Sequence, residues 1–332
     1  MQFRRVQTSR PPPLFELQFR QAFKRVTLCP GGVILPPAQM MGRLRNYLQS
    51  LLLAENLPPR PASLAMLIAR FVQLVNLTAT GEPVVHRKRR TLSLLFDVFS
   101  LQSEMSLDDP DELILGYTQT MMGFLLLQPA PRRIGMVGLG GGSLAKYCYR
   151  YLRHSVIEAA EIDPRVIALR DHFYIPRDSA RLHVHCRDGA DFVRDSAQPF
   201  DVLLIDGFDR AGQPPQLCSQ RFYDDCYQAL TPDGVMVVNL LGDAPQTASA
   251  LASMKQAFGG AVVVIDALDS ENTIAFACKG ESLYVDEKTL LQRVEANGML
   301  HPLLLMQMIH GVLATSAQLS RQLPCSSAIC VN

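Results

Sequence analysis

The chain has 332 residues, 48% hydrophobic and 19% charged, with a formal net charge of +1. That length exceeds one ordinary domain and that apolar fraction fills a sizeable core, so a main domain with appendages is expected. A charge so near zero gives no whole-chain attraction to nucleic acid or to an anionic membrane, and no run approaches the ~18 uninterrupted apolar residues of a membrane span, so function must come from a site. The eight cysteines contain no CxxC pair and no zinc-finger spacing. A reduced, cytoplasmic compartment is therefore expected, and no apolar core follows the N-terminal basic residues as it would in a secretory signal.

Residues 1–85 read as a basic, proline-interrupted extension. Arg and Lys far outnumber the glutamates Glu16, Glu55 and Glu82, and Pro11–Pro13, Pro36-Pro37 and Pro58-Pro59 leave room for two helices, over 39–54 and 63–77. An Arg-rich, acid-poor N-terminus is also the pattern of an organelle transit peptide, and translation from a downstream start is a third reading; the residues leave these open. Residues 86–112 form a small β element. It opens on the basic run His86 to Arg90, which reads as a solvated face, and continues as two short strands within 92–107. A buried helix over 113–127, containing Tyr117, leads into the main domain, 113–280.

There the pattern is regular. Ile134–Val137 is a strand, the glycines at 138, 140, 141 and 142 make a tight turn, and a helix covers 144–152. Strand 156–160, helix 164–173, strand 181–186, helix 190–196, strand 201–205, helix 219–230 and strand 234–240 follow, the last set up by a Thr231-Pro232-Asp233-Gly234 turn. Such alternation predicts a parallel sheet with helices on both faces. The order then breaks at helix 246–258, strand 261–265, a polar loop over 266–272 and strand 273–278, which together read as a terminal antiparallel hairpin. The fold class is therefore α/β, a class I methyltransferase-like Rossmann fold with a mostly parallel seven-stranded sheet. One or two helices over 283–316 and a loosely held tail complete 281–332.

In open α/β sheets ligands bind beyond the carboxyl ends of the strands. Four strands here end in Gly138–Gly142, in Glu161, in Asp188-Gly189, and in Asp206 with Asp209. Glycines lacking Cβ atoms let a ligand lie against bare backbone at a helix N-terminus, and a carboxylate at the spacing of Glu161 suits ribose hydroxyls. An acid after a strand also serves as a helix N-cap, and Asp163 and Asp188 suit that role too. His183 and His185 share a strand face but lack a third ligand at a sensible spacing, so no metal site is expected.

These residues resemble the spermidine synthase family of polyamine aminopropyltransferases. The motifs are GLGGGS at 138–143, EID at 161–163, RDGADF at 187–192, FDVLLIDGFDRAG at 200–212, RFYDDCYQAL at 221–230 and PDGVMVVN at 232–239, and the likeness runs from Leu92 to Lys279. The resemblance implies transfer of an aminopropyl group from decarboxylated S-adenosylmethionine to an amine such as putrescine. The donor is a co-substrate, no cofactor is tightly bound, and the partners are small molecules rather than nucleic acid or membrane. It implies a homodimer as well. By the same resemblance Glu161 binds the donor ribose, Asp188 with Gly189 contacts adenine, and the glycines at 138, 140, 141 and 142 form the donor cradle. Asp206 lies beside donor and attacking amine as proton acceptor, with Asp209 and Tyr117 as its catalytic companions.

Two motifs depart from the family pattern. Members carry Asp in the glycine turn, where it clamps the amino end of the aminopropyl group; Gly141 stands there instead. The family's Tyr-Gln-Glu is Tyr117-Thr118-Gln119. An Asp at 141 would repel the carboxylate of ordinary S-adenosylmethionine, so Gly141 leaves open a methyltransferase or a non-catalytic nucleoside binder. An NAD dehydrogenase also nearly fits the glycine turn, but Asp188-Gly189 and the terminal hairpin speak against it.

Overall fold

The computed structural model describes residues 82–97, 100–209, 212–242, 245–267, 271–296 and 302–322; the helices expected over 39–54 and 63–77 lie outside the described residues. The first described elements are three antiparallel strands, β1 (Val84–Arg87), β2 (Thr91–Asp97) and β3 (Ser100–Ser106), where the residue pattern predicts two strands within 92–107. The extra strand comes from the basic run, whose register pairs His86 with Ser93 and Arg87 with Leu92. Glu104 ties this sheet together. Its carboxylate accepts from Lys88, Thr91 and Ser93, which hold it below the usual range although burial works the other way.

The helix expected over 113–127 is broken in two. It runs as α1 (Gly116–Met121) and then tightens into a 3-10 turn, Met122–Leu126. The hydroxyls of Thr118 and Thr120 bond back to the carbonyls of Leu115 and Gly116, a pattern that competes with regular α geometry. The turn is buried throughout, and a Cβ at Gly123 would lie 3.1 Å from Met308 and 3.2 Å from Phe276, so neighbouring elements press directly on it.

The main sheet comprises β4 (Arg133–Val137), β5 (Val156–Glu161), β6 (Leu182–Cys186), β7 (Phe200–Ile205), β8 (Leu230–Leu241), β9 (Val262–Asp266) and β10 (Asn272–Cys278). Its order is β6-β5-β4-β7-β8-β10-β9, parallel from β6 to β8, with β10 antiparallel to both β8 and β9. Val202 to Ile205 are all buried, as expected of a strand covered on both faces. The helices are α2 (Ser143–Tyr151), α3 (Pro164–Ala168), α4 (Gly189–Arg194), α5 (Gln220–Ala229), α6 (Pro245–Ala257), α7 (Glu287–Ala296) and α8 (Pro302–Gln322). One core layer joins Leu144 and Cys148 of α2 to Leu304 and Met308 of α8 across the sheet residues Ile134 and Phe276. The other packs Phe192, Phe222 and Met254 against Leu203 and Val238.

Two further expectations are corrected. The helix predicted over 164–173 ends at Ala168, because Arg170 turns to the Pro176 carbonyl and to Asp178, and the chain reverses through Tyr174 at φ 53°. The reversal buries Phe173 and Ile175 beneath the glycine turn. The predicted turn at 231–234 is a bulge inside β8: Phe200 pairs with Leu230 and Val202 with Val235, leaving 231–234 opposite Asp201 alone.

The chain places β5 and β6 on one side of β4 and returns to place β7 on the other. Two outgoing connections diverge there, opening a crevice above the strand ends. Phe276, fully buried at the centre of β10 between Val237 and Val263, carries the weight of the antiparallel edge. Phe276→Ala is expected to lower stability by about 3–5 kcal/mol, read as a lower denaturant midpoint at an unchanged m-value.

Candidate functional site

Where β4 ends, the chain must clear the end of β7. Gly138 does so at φ 93°, and a Cβ on it would lie 2.3 Å from the Asp206 carbonyl oxygen, so only glycine fits. The Asp206 amide in turn donates to the Val137 carbonyl at 2.9 Å, and Gly138 donates to Ala160 at 2.8 Å. Three strand ends are thus locked at one level. Above them opens a cavity of about 740 Å³, large enough for a nucleoside with a chain attached.

Glu161, at the end of β5, is 9% exposed and binds the glycine turn itself. Its Oε2 accepts from the amides of Leu139 at 3.1 Å and Gly140 at 3.4 Å, and its Oε1 from the Asp163 amide at 3.0 Å. Asp188 caps α4: Oδ1 accepts from the Ala190 amide at 2.8 Å and the Asp191 amide at 3.2 Å, while Oδ2 faces Gln216 Nε2 at 3.5 Å. Gly189 lies so close to β4 that a Cβ would sit 2.2 Å from Val137 Cγ1.

Asp206 has both oxygens engaged. Tyr117 Oη donates to Oδ2 at 3.2 Å, and Asn239 Nδ2 donates to Oδ1 at 2.8 Å. Burial pushes the Asp206 carboxyl above its ordinary value, against the pull of those two hydrogen bonds. Burial, and then the neighbouring Asp206 charge, push the Tyr117 phenol well above its usual value, so it remains a donor at neutral pH. Asp209 lies at the exposed rim, its backbone bridged to Gly212.

Of the residues predicted from sequence, Gly138, Gly140, Glu161, Asp188, Gly189, Asp206, Asp209 and Tyr117 all line this cavity. Gly141 and Gly142 do not line it; they face inward. A Cβ at Gly142 would meet Ile175 at 2.5 Å, and one at Gly141 would meet Ser103 Oγ at 2.6 Å and Phe173 at 3.0 Å. Ser103 reaches this place from β3, and its hydroxyl is 3.3 Å from that of Ser143 at the start of α2. Sequence reading missed five polar residues of the cavity wall, Gln102, Ser103, Gln216, Asn239 and Asn272. Asn239 had a usable signal, a polar side chain interrupting the apolar end of β8 at the level where other strands carry acids. Ser103 and Asn272 had none.

A Spermine/spermidine synthase domain matches residues 115–266. A polyamine aminopropyltransferase of Chromobacterium violaceum is 34% identical over 197 residues, covering 59% of this chain and 76% of that protein. The eEF1A lysine and N-terminal methyltransferase of Bos taurus is 33% identical over 145 residues, covering 40% of this chain but 21% of that much longer protein. In fold, the chain is similar to spermidine synthase from Thermotoga maritima, with a TM-score of 0.50 at 18% identity over 71% of this chain and 87% of the other.

The two glycines with positive φ separate geometry from crowding. Gly140, at φ 52°, would bring a Cβ no nearer than 3.9 Å to any neighbour, whereas a Cβ at Gly138 would meet a backbone oxygen at 2.3 Å. Gly140→Ala is expected to cost about 1–2 kcal/mol and to keep nucleoside binding. Gly138→Ala is expected to cost more and to abolish binding, as read by denaturant titration and calorimetry with methylthioadenosine.

Proposed function

The chain belongs to the spermine/spermidine synthase family of polyamine aminopropyltransferases, and on that premise we propose that it transfers an aminopropyl group from decarboxylated S-adenosylmethionine to a small amine. The single observation that supports this most is the Asp206–Tyr117 pair, hydrogen-bonded at 3.2 Å beside the glycine turn. In the reaction the acceptor nitrogen attacks the donor carbon next to the sulfonium. A C–N bond forms, the C–S bond breaks with its electron pair going to sulfur, and methylthioadenosine leaves. The attacking amine sheds a proton, which Asp206 takes as general base. Tyr117, kept protonated, steadies the carboxylate before transfer.

Donor binding follows from the other strand ends. Each Glu161 oxygen already accepts from backbone amides, and a carboxylate has capacity for about four hydrogen bonds, so ribose hydroxyls can share it. Asp188 Oδ2 and the bare backbone at Gly189 offer an edge for adenine. Asp209 at the rim adds negative charge toward a cationic acceptor. The donor thereby lies between β5 and β7 with its reactive carbon above Asp206.

A second reading, methyl transfer from S-adenosylmethionine itself, is favoured by one specific contact. The space a side chain at 141 would need is filled by Ser103, so the cavity wall carries neutral hydroxyls where an acid would exclude a donor carboxylate.

Two experiments separate these readings. With decarboxylated donor and putrescine, the wild-type chain is expected to form spermidine and methylthioadenosine, and Asp206→Asn to lose about 10²–10⁴ in kcat while remaining folded. Because only the ionised carboxylate accepts the proton, activity should fall as pH drops through the raised Asp206 value. Full turnover by the variant sinks the assignment. In calorimetry, Gly141→Asp alone is expected to destabilise the chain, and Ser103→Gly with Gly141→Asp to shift preference toward the decarboxylated donor. Equal binding of both donors by wild type, with no spermidine formed, selects methyl transfer.

A further inference from the structure

The chain of hydrogen bonds at Asp206 continues past Asn239. Asn239 is 2% exposed on β8, and while its Nδ2 donates to Asp206 Oδ1, its own Oδ1 accepts from Asn272 Nδ2 at 2.8 Å. Asn272 opens β10. The register pairs Asn239 with Ile274, so Asn272 sits diagonally across the antiparallel ladder on the same sheet face.

The chemistry of the groups gives this chain a direction. An ionised carboxylate can only accept, so Asn239 must turn its NH₂ to Asp206. Its oxygen is then committed to Asn272, which must donate. The opposite arrangement, with the Asn239 oxygen facing Asp206, requires a proton on Oδ1. A neutral amide held between the two is worth more in a buried network than either bond alone, because a flipped amide would face oxygen to oxygen at Asp206 and NH₂ to NH₂ at Asn272.

We propose that Asn272, acting through Asn239, is a positioning residue that orients the Asp206 carboxylate, occupying Oδ1 and presenting Oδ2, beside the Tyr117 hydroxyl, to the proton of the acceptor amine. This rests on the reading that Asp206 is the general base. It gives the antiparallel strand β10 a task in the site, although β10 lies two strands away from β7 in the sheet. The other titratable groups described around the cavity, Tyr117, Glu161, Asp188 and Asp209, are unchanged in every variant below.

The test follows Asp206 by carboxyl ¹³C NMR in the aspartate-labelled full chain, the signal being identified by its loss in Asp206→Asn; no substrate is needed. Asn272→Ala is expected to raise the Asp206 titration midpoint by about one pH unit, and Asn239→Ala by at least as much. The double variant should go no further than Asn239→Ala, since one residue acts through the other. Asn272→Leu, close in volume, uncharged and unable to donate, should shift the midpoint as far as Asn272→Ala, and this decides the matter if Asn239→Ala fails to fold. In the transfer assay Asn272→Ala should move the acid limb of kcat upward by the same interval, with KM for putrescine changed less than about twofold.

An unmoved midpoint in both Asn272 variants, or shifts that add in the double variant, overturns the relay. So does a raised KM with an unmoved midpoint, which would mean that Asn272 touches the acceptor directly. If the midpoints move as expected but wild type transfers nothing, the relay stands and the reaction reading fails. Transfer with unmoved midpoints is the reverse result.

Discussion

Backbone touches backbone where β4 and β7 end, and the rest of the site is arranged around that contact. The turn at Gly138 passes against the Asp206 carbonyl with no room for a single methyl. Every other part of the cavity takes its height from this contact. Glu161 is drawn onto the amides of the same turn, α2 starts where the turn releases the chain, and the Asp206 side chain rises from the far side of the contact. A glycine turn of this kind sets the separation between the two carboxylates that flank it.

Holding Asp206 in that position has an electrostatic cost. A carboxylate taken out of water loses hydration and drifts toward its neutral form unless donors replace the water. The replacements come from three directions in sequence: Tyr117 from α1, Asn239 from β8 and, behind it, Asn272 from β10. Burial raises the Asp206 carboxyl above an ordinary carboxylate while the hydrogen bonds from Asn239 and Tyr117 pull it back. The surrounding donors set this balance, and none of them carries a positive charge.

The small N-terminal sheet is part of the site as well. Ser103 on β3 lies against Gly141, and Leu101 and Gln102 line the same cavity. The space beside Gly141 is thereby closed by a residue from another element. A substitution at 141 cannot be considered without its partner at 103.

The amino-acid sequence by itself determined the alternation of strands and helices, the parallel sheet with its antiparallel end, and the level at which chemistry collects. Those follow from local signals: apolar periodicity, glycine clusters, and acids placed just after strands. Glu161, Asp188, Asp206 and Asp209 were legible in this way, whereas Tyr117 was singled out only by the family resemblance. Tertiary structure alone decided which glycines face the cavity and which face the core, since Gly141 and Gly142 look like Gly138 until Ser103 and Ile175 are packed on them. It also ended α3 early to bury Phe173, turned the 231–234 segment into a bulge, and joined Asn272 to Asp206 across two strands. Each of these depends on residues brought together from distant parts of the chain, and a pattern read along one strand or helix carries no record of what will pack against it.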